Sequence, residues 1–159
     1  MLIAGIDPGT NGAIAVLDSE SPDSVALLDL KKQSTTDIWD WLIRVQGTKP
    51  HPHIIWIEDV HSMHGMSAKS NFGFGKNVGM ITTIAELTWD EVKTVTPKIW
   101  QKYIGVTVKG KAIKKEVAEI AQVLYPNAEL HGKRGGLLDG RADALMIAYY
   151  GLKHPMEEK

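Results

Sequence analysis

Met1-Leu-Ile-Ala-Gly-Ile-Asp7-Pro-Gly-Thr-Asn-Gly-Ala-Ile-Ala-Val16-Leu-Asp18 is the stretch on which the fold turns. Leu2 to Ile6 is a continuous apolar run, the pattern of a strand buried on both faces. It ends on a carboxylate, Asp7. Pro8-Gly9-Thr10-Asn11-Gly12 is dense turn chemistry, and Ala13 to Leu17 returns as a second strand. A carboxylate against a core costs roughly several kcal/mol unless it is hydrogen-bonded, paired or bound to a metal. A hydrogen-bonded turn aspartate meets that condition as well as a metal ligand does. Asp7 therefore has to be weighed with the other acids of the chain.

Working outward, Val25 to Leu30 reads as a third strand after the turn-like Ser19–Asp23, so the chain opens as an antiparallel meander. Thr36-Asp37 starts a helix with Ile38, Trp41, Leu42 and Val45 at helical spacing, closed by Gly47 to Pro50. His53-Ile-Ile-Trp-Ile-Glu58 is a second strongly apolar strand that finishes in an acid, with Asp59 beside it. Val60 to Phe74 has the composition of a loop, and Gly73 to Leu87 resumes a helical pattern whose small residues permit close helix packing. Val92 to Val95 is a short strand and Ile99 to Tyr103 a short helix. Ala112 to Leu124 is amphipathic, and Asp139 to Leu152 forms the last helix. This order predicts an α/β fold: a mixed five-stranded sheet, its first three strands antiparallel, flanked by helices.

A chain of 159 residues fits one domain, 1–159, with an ordered core over about 1–153. With no cysteine, disulfides, zinc–thiolate sites and thiol catalysis are excluded. No apolar run approaches a membrane span, and the N-terminus lacks a basic segment followed by an apolar one, so a cytoplasmic location is expected. The net charge of −1 conceals an uneven distribution. Between Pro97 and Arg134 lie Lys98, Lys102, Lys109, Lys111, Lys114, Lys115, Lys133 and Arg134, opposed only by Glu116, Glu119 and Glu129. A basic third in a neutral protein suits a polyanion on one face, although a solvated lysine-rich surface has the same composition.

The acids complete the picture. Asp139 and Asp143, in Leu137-Leu-Asp139-Gly-Arg-Ala-Asp143-Ala-Leu, are four apart and share one helix face, where like charges repel. With Asp7 and Glu58 they describe an all-oxygen site for a hard cation, Mg²⁺ or Mn²⁺. Two such ions about 3.5–4 Å apart activate a water and stabilise the leaving oxygen in phosphodiester hydrolysis. The structural alternatives are an N-cap role for Asp139 and an ion pair from Asp143 to Arg141 or a lysine.

Gly5-Ile-Asp-Pro-Gly-Thr10, Ile55-Trp-Ile-Glu-Asp-Val60, Thr96-Pro97-Lys98 and Asp139-Gly-Arg-Ala-Asp-Ala-Leu145, in this order and spacing, resemble the motifs of the RuvC-type Holliday-junction resolvases, of the RNase H-like superfold. The phage-encoded branch is the most similar. The resemblance implies a homodimer that binds four-way DNA junctions and makes paired symmetric nicks with Mg²⁺, or Mn²⁺ in its place, at two ions per site. It implies 5′-phosphate and 3′-hydroxyl products and no nucleotide cofactor. Asp7, Glu58, Asp139 and Asp143 then take the metal-ligand positions and Lys114 a catalytic one. His61, Lys69, Lys76, Lys98, Lys109, Lys111, Lys114 and Lys115 take DNA-binding positions. The chain departs from the bacterial pattern twice. Its terminal aspartates are four apart rather than three, with Gly140 at the three-apart position. Val60-His61-Ser62-Met63 stands where a base-stacking aromatic is expected.

Three further readings compete. A broader fork or branched-DNA nuclease, or an RNA-processing relative, would use the same acids. A non-catalytic junction-binding protein has no need of all four. An actin- or sugar-kinase-type ATPase uses a similar Asp-x-Gly-Thr turn but requires two such domains and a longer chain.

Overall fold

The computed structural model describes residues 1–60, 65 and 67–154, apart from the side chain of Pro22. Five strands, β1 (Leu2–Asp7), β2 (Ala13–Asp18), β3 (Ser21–Asp29), β4 (Ile54–Glu58) and β5 (Glu91–Val95), form one sheet in the order β3-β2-β1-β4-β5. β1–β2 and β2–β3 are antiparallel, and β1–β4 and β4–β5 are parallel. The helices of the described residues are α1 (Thr35–Gln46), α2 (Ala68–Thr88), α3 (Pro97–Ile104), α4 (Ile113–Leu124) and α5 (Asp139–Lys153), with a 3₁₀ turn, Gly110–Ala112, before α4. The mixed sheet with its antiparallel start is the architecture that the strand pattern predicts.

Alternation along the central strands divides the core in two. Leu2, Ala4 and Ile6 of β1, with Ile55 and Ile57 of β4, face α1 and α2 and meet Ile38, Leu42, Ile81 and Ile84. Ile3 and Ile54, with Trp56, face α5 and its neighbours, where Leu145, Met146 and Trp100 are fully buried. α5 lies across β1, β2 and β4, and α3 and α4 pack on its outer side.

The fit of α5 on the sheet is a contact between backbones. A Cβ on Gly5 would stand 2.2 Å from the Ala144 carbonyl oxygen and the Ala148 nitrogen, so only glycine fits under this helix. Ala13 and Ala15 keep the neighbouring surface of β2 low, and both are fully buried. At the helix start, a Cβ on Gly140 would stand 2.2 Å from the Asn11 carbonyl oxygen, and Gly12 and Gly140 form an isolated parallel bridge. The first turn of α5 therefore rests on the turn after Asp7.

Several boundaries differ from the sequence reading. The third strand begins at Ser21, because an Asp18 carboxylate accepting from Glu20 N–H at 3.0 Å makes the turn shorter than Ser19–Asp23. α2 begins at Ala68, inside the stretch read as loop. Ser67 caps it by accepting the Ser70 N–H at 3.1 Å. Its first turns leave Lys69, Phe72, Gly73 and Gly75 exposed, so no apolar periodicity marks them. α3 starts at Pro97, where proline's missing N–H is harmless. Among the described residues, no helix is long and apolar enough to cross a membrane.

Candidate active site

Asp7 and Glu58 each stand one residue beyond the Ile6–Ile57 pair, at the C-terminal ends of adjacent parallel strands. Strand alternation sends both carboxylates to the face that α5 covers. Gly9 N–H donates to Asp7 Oδ1 at 2.9 Å, closing the turn. The Trp100 indole N–H donates to Glu58 Oε1 at 3.0 Å. Asp143 lies one turn into α5, partly buried above the same strand ends. Thus β1, β4 and α5 bring three acids to one end of the sheet.

Burial is the largest influence on all three, and each also feels at least one neighbouring carboxylate. Burial raises Asp7, although the Gly9 N–H and the Lys114 charge oppose it. Glu58 is pushed up to about 7 by burial and then by Asp7, against the Trp100 hydrogen bond and Lys114. Asp143 is pushed up to about 8 by burial, then by Asp7 and Glu58. Crowded, half-dry carboxylates with too little positive charge nearby are the condition that a cation relieves.

Asp139 is the first residue of α5 rather than its N-cap, which is Leu138 and makes no side-chain cap. Its Oδ2 is in contact with the Lys114 ammonium from the first turn of α4. That ion pair raises the lysine above its ordinary value, and Lys114 also feels Asp143 and Asp7. Arg141 does not pair with Asp143. It donates instead to both oxygens of Asp29, through Nε at 2.7 Å and Nη2 at 2.9 Å, and through Nη1 to the Glu129 carbonyl at 2.7 Å. Both structural alternatives weighed from the sequence for these aspartates thus fail in their stated form. Asp139 is instead bound to a lysine.

The remaining basic positions are spread around this end. Lys109 precedes the 3₁₀ turn and Lys111 lies within it, both exposed. The link from α3 to the 3₁₀ turn is held by Glu116, whose carboxylate accepts from Thr107 N–H (2.9 Å), Thr107 Oγ1 (2.7 Å) and Val108 N–H (3.1 Å). Lys115 points outward and pairs weakly with Glu119 at 3.7 Å, so it does not join the acids. Lys98 is exposed in the first turn of α3, and Lys69 and Lys76 are exposed on α2. His61 lies outside the described residues.

Oxygen donors on two strand ends and one helix, short of positive charge, fit a divalent metal in donor chemistry. Among the described residues, no three acids or histidines are already gathered closely enough to hold an ion. The ammonium of Lys114 stands among the carboxylates instead. Trp100, Gly12, Gly140 and the Arg141–Asp29 pair shape the site and were not singled out for it by the sequence. Trp100 lies within the short helix read over Ile99 to Tyr103, where nothing marks a polar partner, and the partner of Arg141 is 112 positions away.

Comparison with protein-family models and with curated proteins gives no match. Comparison with solved structures does. T. thermophilus RuvC in complex with a Holliday junction substrate is similar at a TM-score of 0.63 and 17% identity, over 97% of this chain and 92% of that one. A second Thermus thermophilus RuvC structure gives 0.59 and 19%, over 97% of each chain. The fold is that of RuvC. The yeast mitochondrial Holliday junction resolvase gives 0.40 and 16%, over 96% of this chain and 80% of that one. The RuvC architecture therefore spans nearly all of the chain, from β1 with Asp7 to α5 with Asp143.

Proposed function

We propose that the protein is a divalent-metal-dependent endonuclease that resolves four-way DNA junctions by paired symmetric nicks. The observation that carries this reading is the convergence of Asp7, Glu58 and Asp143 at one end of a RuvC-type sheet, buried and starved of positive charge. Asp7, Glu58, Asp143 and Asp139 are the proposed ligands of Mg²⁺ or Mn²⁺, at two ions per site. When bound, the ions supply an activated water and Lewis-acid stabilisation of the phosphoryl oxygens, leaving 5′-phosphate and 3′-hydroxyl ends.

The chain's own groups do the rest. Trp100 orients the Glu58 carboxylate, and Gly9 N–H fixes that of Asp7. Burial and neighbouring carboxylates favour the protonated forms of Glu58 and Asp143, which limits repulsion between the acids; a bound cation would favour the charged forms. Lys114, in contact with Asp139 here, would place its charge beside the scissile phosphate and counter that of the transition state. Lys98, Lys109, Lys111 and Lys115 hold flanking phosphates around the same end, with Lys69, Lys76 and His61 on the α2 side.

A homodimer suits two symmetric nicks, since a two-fold axis would set two such sites on opposed strands. α2 offers the surface for it. Phe72 and Leu87 are 78% and 66% exposed, and Gly73, Gly75 and Gly79 have open space beside them.

The test is cleavage of a synthetic four-way junction, a fork and a linear duplex, with Mg²⁺, Mn²⁺ or chelator. Paired nicks in the junction alone, lost with Asp7→Asn while binding persists, are expected. Equal cutting of forks would make it a general branched-DNA nuclease. Tight binding without nicking under either metal would refute the enzymatic reading.

A further inference from the structure

On the α1–α2 side of the Asp7 turn lies a hollow of about 200 Å³. Pro8, Gly9 and Thr10, which directly follow Asp7, form one wall, so the hollow adjoins the acid end of the sheet. Its floor is apolar, built from Leu30, Ile38 and Ile81, which are 9% exposed or less. Its rim is polar, from Lys32 and Gln33 after β3 and Asn77 of α2. Among the described residues, neither side-chain amide has a hydrogen-bond partner, so both keep donor and acceptor edges free. Lys32 is also the one described non-glycine residue with a left-handed backbone, at φ 68°, a conformation that lysine seldom adopts. Its exposed side chain stands at the mouth.

This volume lies below the roughly 300 Å³ at which pockets for drug-sized ligands begin, and it suits one planar ring. A phosphate would gain from Lys32 but nothing from Leu30, Ile38 and Ile81. An unstacked nucleobase uses everything present: apolar side chains against its faces, amides against its hydrogen-bonding edge, and an ammonium for the phosphate beside it.

We propose that this hollow receives one unstacked base of the strand being cut, next to the phosphate at Asp7, with Gln33 and Asn77 reading its edge and Lys32 on its phosphate. The inference rests on the nuclease reading of the acids and assigns the protein a cleavage-sequence preference. It also gives a place for base contact on a route independent of Val60–Met63, where the stacking aromatic of the bacterial pattern is missing.

Four-way junctions carrying a single 2-aminopurine near the cut, bound to the full chain in chelator, test this by emission, which rises when the base leaves the stack. One position is expected to brighten several-fold. Asn77→Ala and Gln33→Ala should each bring that rise below about twofold while junction Kd changes less than about threefold, because other contacts carry affinity. Asn77→Asp keeps the shape but replaces the donor, and should change the relative cutting rates of different bases at that position by about tenfold. No responsive position, or a response unaltered in all three variants, would overturn the proposal even if the junction is cut. A response lost in Asn77→Ala on a junction that is never cut would support the hollow and count against the nuclease reading alone.

Discussion

Arg141 lies between Asp139 and Asp143 in sequence, yet its guanidinium turns away from both and grips Asp29 at the end of β3, with two hydrogen bonds of 2.7 and 2.9 Å. The strongest cation on the first turn of α5 is thus neutralised outside the site. It fastens the helix against the repulsion of its own aspartates without filling the space between them. Arg141→Lys retains the charge but not the two-pronged geometry. Because Asp29 is partly exposed, we expect a loss of only about 1–2 kcal/mol in stability. Cleavage should fall more than DNA affinity does. Denaturant unfolding and single-turnover rates check this, and an unchanged rate would show that the pair does not position the acids.

The buried acids make an explicit pH prediction. Glu58 and Asp143 stand at about 7 and about 8 in the folded protein, above their ordinary 4.5 and 3.8. The folded state therefore binds more protons than the unfolded chain across that window. Stability from these groups is full below the unfolded values and is lost as pH rises through the folded ones. Without metal, the melting temperature should fall between roughly pH 4 and 8 and level off above that. Asp143→Asn should flatten that fall and raise Tm at pH 8 by about 3–8 °C, or about 1–2 kcal/mol, while abolishing cleavage. Thermal unfolding in chelator measures it. A variant less stable than the native chain at pH 8 would count against the site being electrostatically strained.

If these acids hold a cation as proposed, Lys114 would compete with it for the same oxygens, because its ammonium contacts Asp139 and feels Asp7 and Asp143. Lys114→Met should bind Mn²⁺ as tightly as the native protein or tighter, measured by calorimetry without DNA. Its cleavage rate should drop by roughly a hundredfold, the scale for losing one donor to a developing charge. Weaker Mn²⁺ binding in this variant would mean that the lysine organises the acids instead of vying with the metal.

Gly140 and Gly73 should respond oppositely to alanine. At Gly140 the new methyl would stand 2.2 Å from Asn11 O and 2.8 Å from the Gly12 Cα, forcing α5 off its seat. We expect a loss of about 2–3 kcal/mol or more. At Gly73 the methyl meets nothing within 4 Å and improves a helix interior, for a gain of about 0.5–1 kcal/mol. Paired urea titrations decide it, and equal effects at both positions would overturn the close docking of α5.

Much of this was legible in the sequence because the signals are local. An apolar run that stops on Asp7 or Glu58 reads as a buried strand with an acid at its tip, and the spacing of Asp139 and Asp143 puts them on one helix face. The start of α2 was hidden because its first turns pack against little, so no apolar rhythm exists to read. Arg141–Asp29 and Trp100–Glu58 were hidden for another reason: their partners are 112 and 42 positions apart, and nothing in either neighbourhood marks the match. The four-residue spacing of the last two aspartates acquires a physical reason only in three dimensions. The intervening Gly140 is needed where α5 touches the Asp7 turn.

The contact between Gly5 and the backbone of Ala144 and Ala148 has a bearing on how such a chain can change over time. Where helix and strand meet without side chains between them, the placement of Asp143 over Asp7 depends on atoms that every amino acid shares. The surrounding core can then be rewritten, residue by residue, without moving the acids. A shared architecture at 17–19% identity is the outcome such an arrangement permits. In a saturation library, Gly5 and Gly140 should accept almost nothing, whereas Leu145 and Met146, though equally buried, should exchange freely for other apolar residues.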